Sequence, residues 1–340
     1  MKLSIIIPVF NVERYIIRCL DSLYNQELSE DDYEVIIIND GSNDNSLLLA
    51  EKFKVNHKNL HIYIQENQGV GAARNKGISL AKGAYIYFID PDDYLVAGVL
   101  NRLIGCLNAQ SPDVLTFISK SATVSSAVSE ERSSIAKPMS ISTDTGINYI
   151  ANNNYKNEVW WYFIKKSFLD TINLKFIEGK WMEDAIFTAS LLIQAKSVIA
   201  VPIDAHRHVK VQGSVMTNKE PNHYLKVIND NANIAIVFNS IINELKANTD
   251  ANDRCIKRLK SRQQSFVFFM LLRIMKSTIN KAEILPLLKK MKQEKAYPLN
   301  YFLGEDYNGW MYTILSKSFS NRYIFYFIFL VMNPMLKERT

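Results

Sequence analysis

Ala84-Tyr-Ile-Tyr-Phe-Ile-Asp90-Pro-Asp-Asp93 is the stretch that decides the fold: an unbroken apolar run that ends directly in three carboxylates. A short run of this kind, bounded by a turn signal, reads as a strand buried on both faces. The same pattern recurs on either side, at Leu3–Val9, Glu34–Asn39, Leu60–Gln65 and Val114–Ile118. Between these runs, Val12–Gln26, Ser46–Val55, Gly71–Ala81 and Tyr94–Ala109 carry apolar residues at helical spacing; Ile16, Leu20 and Leu23 share one face of the first. Strand–helix alternation predicts an α/β fold, a mostly parallel sheet with helices on both faces. In such sheets ligands bind beyond the carboxyl ends of the strands, which is where the acidic turn falls.

The chain has 340 residues, 48% of them apolar and 22% charged, which fits two folded units and excludes a disordered or collagen-like protein. Cys19, Cys106 and Cys255 are odd in number and far apart, so they supply neither a disulfide framework nor a zinc knuckle, and a reducing compartment is expected. Met1–Ile7 reads as a strand and not as a secretory leader. Ser119–Thr145 holds nine serines and reads as an irregular insertion. A mixed region follows, with a helix over Met182–Gln194 and short strands over Ser197–Val201 and Ala205–Val211. Beyond Pro221 the pattern is wholly helical: Asn222–Leu245, Asp253–Ser277, Lys281–Lys292 and Trp310 onward. The expected boundary lies near Thr217, giving domains 1–217 and 218–340.

Each strand end offers a chemical reading beside a plainer one. Pro8 and Phe10 can form a flat wall for a base, or simply pack an edge. Asp40, followed by Gly41, can accept from a ribose or a base N–H; Asp44 reads as a helix N-cap. Asn67-Gln-Gly-Val-Gly-Ala-Ala-Arg74-Asn75 places small residues and a cation at a helix N-terminus, where backbone N–H groups favour anions. The small residues alone would also serve tight helix packing. Asp90, Asp92 and Asp93 repel one another unless a cation sits among them. Mg²⁺ or Mn²⁺ carrying a diphosphate meets that need, since such an ion takes few protein carboxylates; a solvated acidic turn is the alternative. Asp184, in the first turn of a helix, is favoured there by the helix dipole alone, but is also available as a base.

Together, Pro8-Val-Phe-Asn, Asn39-Asp-Gly-Ser, the Asn67–Asn75 segment, Asp90-Pro-Asp-Asp and Glu183-Asp184 resemble the family 2 inverting glycosyltransferases of the GT-A fold. The bacterial enzymes of capsular and exopolysaccharide synthesis are the most similar. The resemblance covers residues 1 to about 217 and implies a Rossmann-like catalytic domain followed by an α-helical C-terminal region. It implies that Pro8, Phe10, Glu13 and Asp40 line a nucleoside pocket, that Arg74 lies near the phosphates or donor sugar, and that Asp90 faces ribose or donor sugar. Asp92 becomes the ligand of a divalent metal (Mn²⁺ or Mg²⁺), Asp184 the catalytic base and Glu183 a supporting or acceptor-contacting group. The implied partners are a nucleotide-diphosphate sugar, with UDP the default, and a glycan or polyprenyl-linked acceptor. Where many relatives have a Tyr- and Arg-rich segment this chain reads His206-Arg-His-Val-Lys-Val-Gln212, leaving Arg207, His208 and Lys210 as alternatives for covering the diphosphate. A non-catalytic nucleotide-sugar-binding or scaffold protein of the same fold is the competing reading.

Residues 251–340 contain 16 Lys or Arg against 6 Asp or Glu, whereas the rest of the chain has 24 against 28. A basic, aromatic-rich C-terminal region on an acidic body suggests an anionic surface as its partner. No nucleic-acid-binding motif accompanies the charge. Tyr323–Leu336 would make about 21 Å of helix against a hydrocarbon core of about 30 Å, too short to span. Peripheral association with the cytoplasmic face of the membrane is therefore expected, with burial in a homodimer as the other use of the same run. For the middle helices, Phe266, Phe268, Phe269, Leu271 and Leu272 can equally pack a bundle whose basic face is solvated.

Overall fold

The computed structural model describes residues 1–123, 143–211, 221–247, 252–304 and 306–337. Most of the serine-rich segment and the boundary near residue 217 lie outside the described residues. The chain divides into two compact units, residues 1–146 with 156–212, and residues 147–155 with 213–340.

In chain order the first unit opens with β1 (Leu3–Val9), α1 (Ile16–Tyr24), β2 (Tyr33–Asp40), α2 (Ser46–Lys54), β3 (Leu60–Gln65), α3 (Val70–Leu80) and β4 (Tyr85–Phe88). Then come β5 (Tyr94–Leu95), α4 (Val99–Gln110), β6 (Val114–Thr123), β7 (Thr143–Asp144) and α5 (Gly146–Asn152), which from Ile147 onward belongs to the second unit. It closes with β8 (Tyr162–Lys165), α6 (Lys166–Ile172), α7 (Glu183–Gln194) and β9 (Val198–Lys210). Among the described residues these strands form one sheet in the order β3-β2-β1-β4-β8-β6-β9-β5, with β7 also on β9.

The β3-β2-β1-β4 part is parallel, with Ile5 in register between Val35 and Tyr87. One face buries Ile5, Ile7, Val35 and Ile37 without exposure, where α1 adds Ile16, Leu20 and Leu23 from the face read in the sequence, and the other face buries Ile6 and Ile38. Each such side chain contributes about 1.5–3 kcal/mol by leaving water. Helix α3 lies so close to β1 that a Cβ on Gly77 would sit 2.4 Å from Cγ2 of Ile6. That explains a glycine inside a helix, where it otherwise costs about 1 kcal/mol.

Several boundaries differ from the sequence reading. Helix α1 starts at Ile16 instead of Val12: residues 12–15 form a turn closed by the Tyr15 N–H on the Val12 carbonyl, with the Ser46 hydroxyl and the Asp44 carboxylate accepting the backbone N–H groups of Val12 and Glu13. Tyr94-Leu95 pairs antiparallel with His206 and Arg207 instead of opening a helix, and α4 begins only after Gly98 in the left-handed region. The two short strands near residue 200 are one strand, β9, parallel to β6 with its register shifted between Thr116 and Ser119. The sheet is mixed: β8, which the aromatic run at 160–163 concealed, pairs antiparallel with both β4 and β6.

The second unit contains α8 (Pro221–Ala247), α9 (Asp253–Ile274), α10 (Lys281–Gln293), α11 (Trp310–Ser320) and α12 (Arg322–Lys337). Phe268, Leu271, Phe302, Phe325 and Phe329 are buried in its core. Helix α9 is a core helix, and even its Arg258 and Arg262 are buried and paired with Asp306 at 3.0 and 3.3 Å. Two of the basic groups grouped with the anionic-surface reading thus face inward. No helix among the described residues is long and apolar enough to cross a membrane.

Candidate active site

The predicted site residues lie at or just beyond the carboxyl ends of β1, β2 and β4, in the first turns of α3 and at the start of α7. Asp40, at the end of β2, is 3% exposed. Its Oδ1 accepts from Gln65 Nε2 (2.8 Å) and the Gln68 backbone N–H (2.9 Å), and Oδ2 accepts from the Gly69 N–H (2.8 Å). Three donors leave little free acceptor capacity, so Asp40 chiefly fixes the loop that leads into α3. Glu13 likewise braces a neighbouring loop, its Oε2 accepting from the backbone and side chain of Asn45, both at 2.9 Å. Pro8 is the penultimate residue of β1, and Phe10, just beyond that strand, is exposed. An exposed ring at a strand's carboxyl end is free to lie against a planar group.

Arg74, one turn into α3, is almost fully buried and donates in two directions. Nη1 meets Glu183 Oε1 at 2.5 Å and Nη2 meets Asp90 Oδ1 at 2.9 Å, with the guanidinium 5.4 Å from the Phe176 ring centroid. The sequence reading placed Arg74 near the phosphates or donor sugar; its hydrogen bonds make it the bridge between the acidic turn after β4 and the N-terminus of α7. The neighbouring carboxylates raise its own pKa, against the opposing effect of burial, so it stays charged.

Helix α7 begins after Met182, which adopts a left-handed backbone conformation. Asp184 Oδ1 accepts from the Ala185 N–H at 2.8 Å. Burial, then the charge of Glu183, pushes the Asp184 carboxyl well above its ordinary range, with Arg74 opposing. Asp92, on the other side of Asp90, is pushed from 3.8 to about 7 by burial and by the charges of Asp93 and Asp90. Asp90 therefore acts electrostatically on Asp92 and is hydrogen-bonded to Arg74, which in turn holds Glu183 beside Asp184. Positions 92 and 184 are thus linked through Asp90, Arg74 and Glu183.

Asp93 is completely buried and anchors the end of β9. Its carboxylate lies 3.1 Å from His206 Nε2 and 3.3 Å from His208 Nδ1, and accepts the Val209 backbone N–H at 2.8 Å. The two imidazoles hold Asp93 below its ordinary pKa and Asp93 raises that of His208. Both rings lie parallel to Trp160, at centroid distances of 4.6 and 5.2 Å, and Ser119 Oγ is 2.8 Å from His206 Nδ1. This clasp was not foreseen, although His206-x-His208 at strand spacing puts both rings on one face. Of the alternatives for the diphosphate, Arg207 is held by Asp204 at 2.6 and 3.1 Å, His208 is engaged with Asp93, and Lys210 is exposed.

Among the described residues no three His, Cys, Asp or Glu side chains converge as a ready metal site. The donor set fits an ion that draws one or two carboxylates from the protein and the rest from phosphate and water. The charges of Asp93 and Asp90 bear on Asp92, so a cation there would relieve their repulsion.

Residues 4–169 match the family model described as glycosyl transferase family 2. Residues 4–169 carry a family 2 glycosyltransferase domain. Over 208 residues, 57% of each chain, it is 32% identical to the uncharacterised glycosyltransferase EpsJ of Bacillus subtilis. It is 30% identical over 221 residues to the poly(ribitol-phosphate) beta-glucosyltransferase of Bacillus spizizenii, spanning 64% of this chain and 34% of that one. The matches thus span about half or less of these relatives' lengths. The crystal structure of Staphylococcus aureus TarS 1–349 with UDP-GlcNAc superposes with a TM-score of 0.63 at 21% identity, covering 88% of this chain and 84% of that one. A mannosyltransferase from Pyrobaculum calidifontis, solved with GDP-Man and Mn²⁺, gives 0.53 at 12% identity, covering 98% and 87%. The glycosyltransferase domain accordingly has the GT-A fold, and the helical C-terminal region follows it.

Proposed function

We propose that the chain is an inverting glycosyltransferase that moves a sugar from a nucleotide-diphosphate sugar, by default a UDP-sugar, to a hydroxyl of a glycan or polyprenyl-linked acceptor in surface-polysaccharide synthesis. The observation that carries this reading is the Asp90–Arg74–Glu183 bridge, which ties the acidic turn to the helix start bearing Asp184. Relatives named for polymer glycosylation and a similar fold solved with UDP-GlcNAc support the donor and acceptor classes.

In this reading Pro8 and Phe10 form the wall against the base, while Asp40 and Glu13 keep that wall's loops in place. Asp184 takes the proton of the acceptor hydroxyl as its oxygen attacks the anomeric carbon and the bond to the diphosphate breaks. An α-linked donor then yields a β-linked product. Its surroundings suit the task, because a carboxylate raised by burial binds a proton more firmly than an exposed one. Glu183 and Arg74 fix where Asp184 stands. Asp92, with Asp90 beside it, would hold a divalent cation, which when bound neutralises the charge developing on the departing diphosphate. A lipid-linked acceptor implies work at a membrane surface on the cytoplasmic side.

The test is a panel of nucleotide sugars with Mn²⁺ or Mg²⁺, scored for nucleotide release and, with an acceptor, for anomeric configuration by NMR. Release from one donor that disappears in Asp184→Asn is expected. Binding without turnover for every donor would assign the chain to a non-catalytic nucleotide-sugar-binding role and end the proposal.

A further inference from the structure

Large apolar side chains are exposed at 19 described positions, and ten of these fall between Trp310 and Met335, in the α11–α12 hairpin. On α11, Trp310, Met311 and Ile314 share a face with the cation Lys317. On α12, Ile324, Phe327, Val331 and Met335 form a stripe at helical spacing, with Phe327 68% exposed. The opposite face of α12 buries Phe325 and Phe329 in the core of the unit. The helix is therefore apolar on both sides, and only one side is used by the fold. A single residue, Asn321, joins the two helices, and its side chain accepts the N–H groups of Tyr323 and Ile324. The hairpin is thus a fixed element and not a loose tail.

We infer that this hairpin face docks on an anionic lipid surface, lying in the interface plane. The inference rests on the proposed function only for where the acceptor waits; the docking stands on the hairpin itself. Length sets the orientation: Tyr323 to Met335 covers about 18 Å of helix, against about 30 Å needed to cross. Charge selects the occupant. From Trp310 to Lys337 the sequence has Lys317, Arg322 and Lys337 and no Asp or Glu at all. A second copy packed on this face would bring cations together with no acid in either hairpin to neutralise them. Anionic headgroups supply the missing charge, each cation near such a surface being worth about 1 kcal/mol. Trp310, 74% exposed, and Tyr323, stacked under Arg322 at 4.7 Å, are amphipathic rings of the kind that settle at headgroup depth. Of the basic residues of α9, Arg258 and Arg262 do not share the work, since both are buried.

The experiment uses the intact chain with vesicles of phosphatidylglycerol and phosphatidylcholine, and of phosphatidylcholine alone, at low and high salt. Co-sedimentation with the anionic vesicles at low salt is expected, with a blue shift of Trp310 emission that Trp310→Phe removes. The double variant Phe327→Glu/Val331→Glu, both at solvent-exposed positions, should bind at least ~10-fold more weakly with unchanged donor hydrolysis. Lys317→Glu should weaken binding at low salt and flatten its salt dependence. Failure of the intact chain to bind, equal binding to both vesicle types, or undiminished binding by the double variant would overturn the inference. So would a concentration-dependent dimer, abolished by Phe327→Glu, in a chain that ignores vesicles. Donor hydrolysis without vesicle binding sinks only the docking; vesicle binding without hydrolysis of any donor sinks only the transferase reading.

Discussion

Asp92→Asn should make the metal-free protein more stable, and the gain should depend on pH. The Asp92 carboxyl is raised from 3.8 to about 7 in the folded chain. Its folded-state pKa therefore exceeds the unfolded one, and the folded state binds this proton more tightly. Stability falls as pH rises from about 4 to about 7 and is level above, a linkage penalty that asparagine does not carry. At ~1.4 kcal/mol per pH unit the full penalty is roughly 4 kcal/mol, an upper figure before local relaxation. Urea unfolding of both proteins at a series of pH values, with a chelator present, reads it directly. The gap should be under half its plateau near pH 5 and complete near pH 8. Saturating Mn²⁺ near pH 8 should then stabilise the wild type and leave Asp92→Asn unmoved. A stability difference that is constant across this range, or Mn²⁺ stabilising both proteins equally, would refute the reasoning.

Other consequences can be measured on the same material. Asp184→Asn should lower turnover by roughly 10²–10⁴-fold while leaving donor affinity, read by calorimetry, nearly unchanged. Arg74→Met removes the cation from buried Glu183 and partly exposed Asp90 and should cost about 3–5 kcal/mol in urea unfolding; an effect below 1 kcal/mol would mean the bridge is not held as described. Gly77→Ala drives a methyl into Ile6 and should destabilise by about 1–3 kcal/mol, visible as a lower thermal midpoint.

The sequence was most informative where local rules and the fold agree. Buried strands announce themselves as apolar runs, so β1 and β3 match their predicted limits, and the acidic turn sits at the end of β4 as read. Helix α1 was overextended because apolar spacing does not record that side chains from a distant loop hold the backbone at residues 12 and 13. Strand β8 was missed because Trp160-Trp-Tyr-Phe163 has neither strand alternation nor a turn signal on both sides. Within the site, motif spacing brought Asp90, Arg74 and Glu183 to attention one by one, yet their pairing needs three-dimensional proximity across 109 residues of chain. Asp93 passed as one more acidic residue since nothing adjacent to it names His206 and His208 as partners.

The anchoring of Asp93 has a practical corollary for engineering. Because both imidazoles and the amide of Val209 grip this one carboxylate, the loop after β4 and the last turn of the β9 ribbon form a single mechanical part. A graft that imports a foreign acidic loop must therefore carry residues 206–209 and the indole of Trp160 with it; transplanting the loop alone leaves buried His206 and partly exposed His208 without their carboxylate.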